Sequence, residues 1–221
     1  MSKPTRLLLI RHAQPERKTE GRCYGSLDVG LSARGERLAR HLGRVLAGIP
    51  FAAVYTSPRL RATSTAGPVA AANGLTPTAV DDLRELDFGA FEGRSYDDIA
   101  REYPVLFAAW MNEPTTVRFP NGEDFTDLRT RVLAATSAIR ERHAGEVAAL
   151  VSHGGVIRAV LADALDMPAA AIFRLEQSYG ALSIVDWLDE TPIVRLVNGQ
   201  ATMVGRRRRG FLPGLAPAGS I

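Results

Sequence analysis

Three well-separated stretches carry residues suited to chemistry on an anion. Arg11-His12 follows the apolar run Leu7 to Ile10. Arg61 lies in Ser57-Pro58-Arg59-Leu60-Arg61, just after the apolar run 52–56. His153 lies in Ser152-His153-Gly154-Gly155, after Val147 to Val151. Two histidines with two arginines and few carboxylates suit a phosphate better than a metal. Guanidinium groups match phosphate oxygens in pairs, whereas zinc wants neutral or anionic ligands and is repelled by cations. The chain has no His-x-x-x-His or Cys-x-x-Cys spacing, no Walker phosphate loop and no Gly-x-Ser-x-Gly elbow. Cys23 lacks the compact loop ending in arginine that a cysteine phosphatase needs. Histidine remains as the nucleophile. A neutral imidazole nitrogen attacks phosphorus in line, and water later hydrolyses the phosphohistidine.

In that chemistry His12 is the nucleophile, and Arg11, Arg61 and His153 stabilise the phosphoryl oxygens. A well-placed arginine is worth about 10³–10⁵ in phosphoryl transfer. The leaving alkoxide needs a proton. Glu85, in Leu83-Arg84-Glu85-Leu86-Asp87-Phe88-Gly89, is the candidate donor, and a phosphate dianion beside it favours its protonated form. The competing reading of Glu85 is an ion pair with Arg84 or Arg94. Gln14, Lys18, Tyr24 and Gly25, in the polar loop that follows His12 up to about Gly30, and Gly154, beside His153, are candidate substrate contacts. His41 and His143 sit in amphipathic helical patterns and read as ordinary helix residues.

These residues need a scaffold that gathers them. Leu7 to Ile10 and Val147 to Val151 read as strands buried on both faces. Residues 52–56 read as a second strand, Thr76 to Val80 as a third, and 181–187 with 193–197 as a closing hairpin. Ser32 is the expected N-cap of a helix through Leu38, Leu42, Val45 and Leu46, ended by Gly48 and Pro50. Ser57-Pro58 is expected to cap the helix carrying Arg61, with proline in its first turn. Leu128, Val132, Ala135 and Ile139 mark a longer amphipathic helix, and another helix starts near Val156. The stretch 85–122 is expected to hold turns, aromatics and two short helices. Strands alternating with helices predict a three-layer α/β/α sandwich with a mostly parallel central sheet. In such folds, sites form beyond the carboxyl ends of the strands, where His12, Arg61 and His153 all fall.

In that order, four motifs resemble the histidine phosphatase (phosphoglycerate mutase-like) superfamily. They are Arg11-His12-Ala13-Gln14; Ser57-Pro58-Arg59-Leu60-Arg61-Ala62 with Thr65-Ala66; Glu85 through Gly93; and Ser152-His153-Gly154-Gly155. The resemblance spans about Arg6 to Val197. It implies the same roles for His12, Arg11, Arg61, His153 and Glu85, a phosphoglycerate mutase-like fold, and no metal. Two positions depart from the family pattern. Ala13 stands where glycine is common, which an ordinary backbone torsion accommodates. Lys18 stands at the position of a phosphate-contacting asparagine. The segment from Glu92 to Gly122 is short for a mutase, so the chain resembles the phosphatases. The stretches 22–29, 120–125, 167–170 and 175–177 are similar to α-ribazole phosphatases of the cobalamin pathway.

Composition bounds the remainder. The 221 residues suffice for one domain with a full core. The chain is read as a phosphatase domain over 1–204 and a mobile arginine-rich tail over 205–221. Of the net charge of +3, four units come from Arg206, Arg207, Arg208 and Arg209, and without them the body has 23 basic against 24 acidic residues. That near-neutral body does not predict nucleic-acid binding. With one cysteine, no intrachain disulfide forms. No signal peptide or membrane span is legible. The expectation is a cytoplasmic enzyme without cofactor, acting on a small phosphorylated substrate, with a homodimer left open. The alternatives are a broad phosphatase of small sugar or acid phosphates and a non-catalytic phospho-ligand sensor on the same fold.

Overall fold

The computed structural model describes residues 3–200. The expected tail and its boundary near residue 205 lie outside the described residues. The sheet has six strands: β1 (Thr5–Arg11), β2 (Phe51–Thr56), β3 (Thr78–Ala79), β4 (Val147–Ser152), β5 (Leu182–Leu188) and β6 (Thr191–Gly199), in the order β3-β2-β4-β1-β5-β6. The first four run parallel, and β5 and β6 add an antiparallel hairpin at one edge. Six α-helices accompany it: α1 (Ala33–Val45), α2 (Leu60–Ala71), α3 (Tyr96–Glu102), α4 (Pro104–Asn112), α5 (Phe125–Arg142) and α6 (Gly154–Ala164).

The alternation of side chains along β1 builds the layers. Leu8 and Ile10 pack with Leu42 and Leu46 of the α1 end and with Ala66, Val69 and Ala70 of α2. Leu7 and Leu9 face the other way, onto Leu128, Val132 and Ile139 of α5 and Ile157 and Val160 of α6. A period of two along a strand therefore gives a sheet covered on both faces. This is the three-layer sandwich that the sequence predicts. Ser32 caps α1, its side chain accepting from the Gly35 N–H.

Three expectations need correction. The third strand is not Thr76 to Val80 but only Thr78–Ala79. It lies at the sheet edge, and Pro77 has no N–H to offer a ladder. Second, Ser57-Pro58 does not begin α2. Arg59 is its N-cap and Leu60 its first residue, because Ser57 stays in the sheet's register. Its N–H donates to Val151 O at 3.0 Å, and its hydroxyl is used elsewhere. Third, α6 begins at Gly154, two residues earlier than expected, with His153 as N-cap. The two short helices anticipated within 85–122 are present as α3 and α4. Among the described residues, no helix is long and apolar enough to cross a membrane.

Candidate active site

β1 and β4 are neighbours in parallel register, with Arg11 opposite Ser152. His12 and His153 therefore leave the sheet side by side, and their ring centroids are 5.2 Å apart. The His12 N–H donates to Ser152 O at 2.8 Å, which locks the exit. The next residue, Ala13, is fully buried and donates its N–H to Thr65 Oγ1 of α2. Its φ is not positive, so alanine stands there without strain.

The His12 ring lies with Nδ1 2.8 Å from Ala13 O. A carbonyl oxygen only accepts, so Nδ1 carries the proton and Nε2 keeps its lone pair. Burial, and then the charges of Arg61 and Arg11, hold the His12 pKa well below its ordinary value. The ring is thus a neutral base with a defined nucleophilic atom. His153 is fully buried, and burial followed by Arg61 and His12 lowers its pKa as well. Its Nε2 lies 2.8 Å from Ser57 Oγ. Ser57 Oγ also accepts from the Arg59 N–H. Either the ring nitrogen or the hydroxyl can donate in that bond, and the other ring nitrogen, Nδ1, is a buried atom with no hydrogen-bond partner among the described residues.

Arg61 is fully buried in α2. Its terminal nitrogens donate to Gly25 O at 2.7 Å and Leu27 O at 2.9 Å. The N–H groups of Gly25, Ser26 and Leu27 are taken by the Glu92 carboxylate, which also accepts from the Phe88 N–H. Arg61 and Glu92 thus fix the loop from opposite polarities. Gly25 is needed in it, because a Cβ there would fall 1.8 Å from Leu86 O. Arg11 donates to Gln177 O and stacks 4.2 Å above the Tyr179 ring. The Tyr179 hydroxyl meets that of Tyr24 at 2.8 Å, and the Tyr24 ring faces Arg61 at 5.2 Å. The Nε atoms of Arg11 and Arg61 are buried without acceptors among the described residues.

Glu85 forms no pair with Arg84 or Arg94, which bind Asp81 and Glu102 instead. Its carboxylate accepts from its neighbour Leu86 N and, at 3.1 Å, from Gly155 N at the start of α6. A Cβ on Gly155 would lie 2.3 Å from Glu85 Oε1, so that glycine makes room for the carboxylate. Arg131 of α5 holds the backbone of this segment, donating to the carbonyls of Asp82, Arg84 and Glu85 and pairing with Glu123.

A cavity of about 630 Å³ is lined by Arg11, His12, Tyr24, Arg61 and Glu85 together. His153 lies buried behind them. The other expected contacts are placed differently. Lys18 stands on the surface, in a 3-10 turn, paired with Glu16 at 2.8 Å. Gln14 accepts from Ser32, tying the loop to the start of α1. Gly154 is the first residue of α6, beside Arg11 Nε. His41 and His143 do not line the cavity, and His143 bonds to Tyr55 and Glu146.

Arg158, Tyr179, Ser57 and Glu92 belong to this site without a site role read from the sequence, where Ser57 stands only as a helix cap and part of a motif. Arg158 had a signal, since it is the sole charge within Val156-Ile157-Arg158-Ala159-Val160-Leu161. Glu92 lay inside a quoted motif without a role. Tyr179 had no periodic or spacing signal.

The two buried histidines make stability depend on pH. Above their ordinary value of 6.5 both rings are neutral, folded or unfolded. Below it the unfolded chain takes up protons that the folded sites refuse. Stability then falls with pH by up to about 1.4 kcal/mol per pH unit for each histidine. Urea unfolding at pH 7.5 and 5.5 is expected to show wild type losing more stability than His12→Ala. Equal losses would contradict a neutral, buried His12.

Comparison with known proteins accords with this geometry. The family model described as histidine phosphatase superfamily (branch 1) matches residues 7–200. Bifunctional protein Rv2228c of Mycobacterium tuberculosis is 38% identical over 199 residues, covering 88% of this chain and 54% of that protein. The chain thus spans about half the length of that relative. The adenosylcobalamin/alpha-ribazole phosphatase of Escherichia coli K12 is 30% identical over 196 residues, covering 89% of this chain and 97% of that protein. Among solved structures, Bacillus stearothermophilus YhfR superposes with a TM-score of 0.83 at 31% identity, covering 88% of this chain and 97% of that one.

Proposed function

The chain belongs to the histidine phosphatase superfamily, and on that premise we propose that it is a phosphomonoester hydrolase working through a phosphohistidine on His12. The observation that carries the proposal is the Nδ1 bond from His12 to Ala13 O, which leaves a neutral Nε2 beside the buried Arg61 and the partly buried Arg11.

In the first step Nε2 attacks phosphorus in line. The bond from phosphorus to the ester oxygen breaks, and Glu85 gives that oxygen its proton. In the second step a water attacks the phosphohistidine, Glu85 takes the water's proton, the N–P bond breaks, and inorganic phosphate leaves. The Nε–H groups of Arg11 and Arg61 and, with its proton on Nδ1, the His153 ring have no acceptors among the described residues and supply fixed donors for the charge that develops on the transferred group. On this reading the reaction runs without a metal or cofactor, because the guanidinium groups of Arg11 and Arg61 beside His12 oppose a cation there.

The substrate we favour is α-ribazole 5'-phosphate, on the sequence resemblance and the Escherichia coli relative. A panel of phosphomonoesters, assayed with and without EDTA, tests both parts. The expected result is turnover undiminished by EDTA, with the highest kcat/KM on α-ribazole 5'-phosphate. Equal kcat/KM across the panel would replace that substrate by a broad preference for small phosphates. Loss of activity in EDTA would overturn metal independence.

A further inference from the structure

The cavity that exposes His12 and Glu85 continues along an apolar wall. Phe88, Trp110 and Phe125 form its deeper part, and Tyr96, Met111 and Phe173 its lip. The wall is built as a rigid surface. Trp110 is stacked on Tyr96 at 5.6 Å and touches Phe88 and Phe119 at 5.7 and 5.3 Å. At the lip, Tyr96 is 41%, Met111 50% and Phe173 55% exposed, a local concentration of large apolar surface open to water. Such surface is costly unless something covers it, and its continuity with the reacting atoms makes the leaving group of the ester its occupant.

The charges of the same cavity narrow the choice. Arg11 and Arg61 face the phosphate chemistry. Beyond them the cavity is lined by two further cations, Arg22 and Arg158, against one carboxylate, Glu85. Arg158 is held by Leu175 O at 2.9 Å and stacks on the Phe173 ring at 5.2 Å. Burial and the neighbouring Arg11 both weigh against its charge. An ammonium group on the leaving alcohol would meet two arginines, and a strongly hydrated polyol would leave the aromatic wall unused.

We propose that the wall formed by Trp110, Met111 and Phe173, with Arg158, is a leaving-group subsite for a neutral aromatic or apolar group joined by a short spacer to the phosphorylated carbon. The inference rests on the phosphohistidine reading of His12 and specifies what departs from it. Three primary alkyl phosphates separate the contributions: ethyl phosphate, 2-phenylethyl phosphate and phosphoethanolamine. Burial of the phenyl ring is expected to raise kcat/KM about 50-fold over ethyl phosphate. Phosphoethanolamine is expected to react more slowly than ethyl phosphate, although its alcohol is the better leaving group. Met111→Ser and Phe173→Ser, at exposed positions that do not hold the fold, are expected to lower the phenylethyl-to-ethyl ratio several-fold. A merely structural effect would lower both rates and keep the ratio.

Phosphoramidate, which has almost no leaving group to bind, serves as the control donor. If it phosphorylates the wild-type enzyme while the phenylethyl-to-ethyl ratio stays near one, the subsite is overturned and the His12 reading survives. A ratio unchanged in both serine variants overturns the assignment of the wall in the same way. If no donor gives a phosphoenzyme and no ester is turned over, both proposals fall.

Discussion

Replacing His12 by alanine is expected to reduce hydrolysis of every phosphomonoester to the buffer background, whatever its leaving group. The side chain supplies the atom that bonds to phosphorus, and nothing else in the cavity replaces it. Cys23 is buried, and burial pushes its thiol pKa far up, so it stays protonated. The fold should survive, because the elements that pack around His12 are held by two extensive cores. The checks are steady-state rates on p-nitrophenyl phosphate and on an alkyl phosphate, with a melting curve for the same sample. A folded variant that keeps a tenth of the wild-type rate on either ester would remove His12 from the chemistry.

Glu85→Gln should behave differently, and the difference assigns the roles. Glutamine keeps the shape and an oxygen for the Gly155 N–H, but it has no proton to give. General acid catalysis contributes about 10²–10⁴-fold, so alkyl phosphates should lose that much. p-Nitrophenyl phosphate needs little help with its leaving group and should lose far less. The ratio of kcat/KM between the two esters, measured in wild type and variant, reads the effect on the first step alone, since Glu85 also serves the dephosphorylation step that both esters share. A uniform loss on both would make Glu85 a positioning residue, acting through the start of α6.

Much of the positioning was legible because it depends on the polypeptide's simplest regularities. The short apolar runs before Arg11-His12 and before Ser152-His153 are buried parallel strands, and neighbouring parallel strands deliver their next residues to one edge. Strands alternating with helical patterns predicted the layers, and side chains alternating along Leu7–Ile10 fill both faces of the sheet. What was not legible depends on contacts between distant segments. Ser57 looks like a helix cap by local chemistry, but its hydroxyl is committed to His153, 96 positions away. Lys18 is aligned with a phosphate contact by position, yet its chain segment turns outward and Glu16 captures it. Tyr179 reaches Arg11 and Tyr24 only because the turn before β5 folds back over the site. No local pattern encodes such meetings. Arg158 is the intermediate case, since a lone charge in an apolar helix signals a buried role without saying which.

The central claim is that phosphate passes through His12 Nε2. Rapid quenching of the wild-type enzyme with a phosphomonoester, followed by peptide mass spectrometry, tests it most directly. The predicted result is one phosphoryl group on the peptide containing His12, labile to acid and stable to base, and absent from His12→Ala. Turnover with no phosphate on His12 at any quench time, or a base-labile phosphate on another residue, would contradict the account.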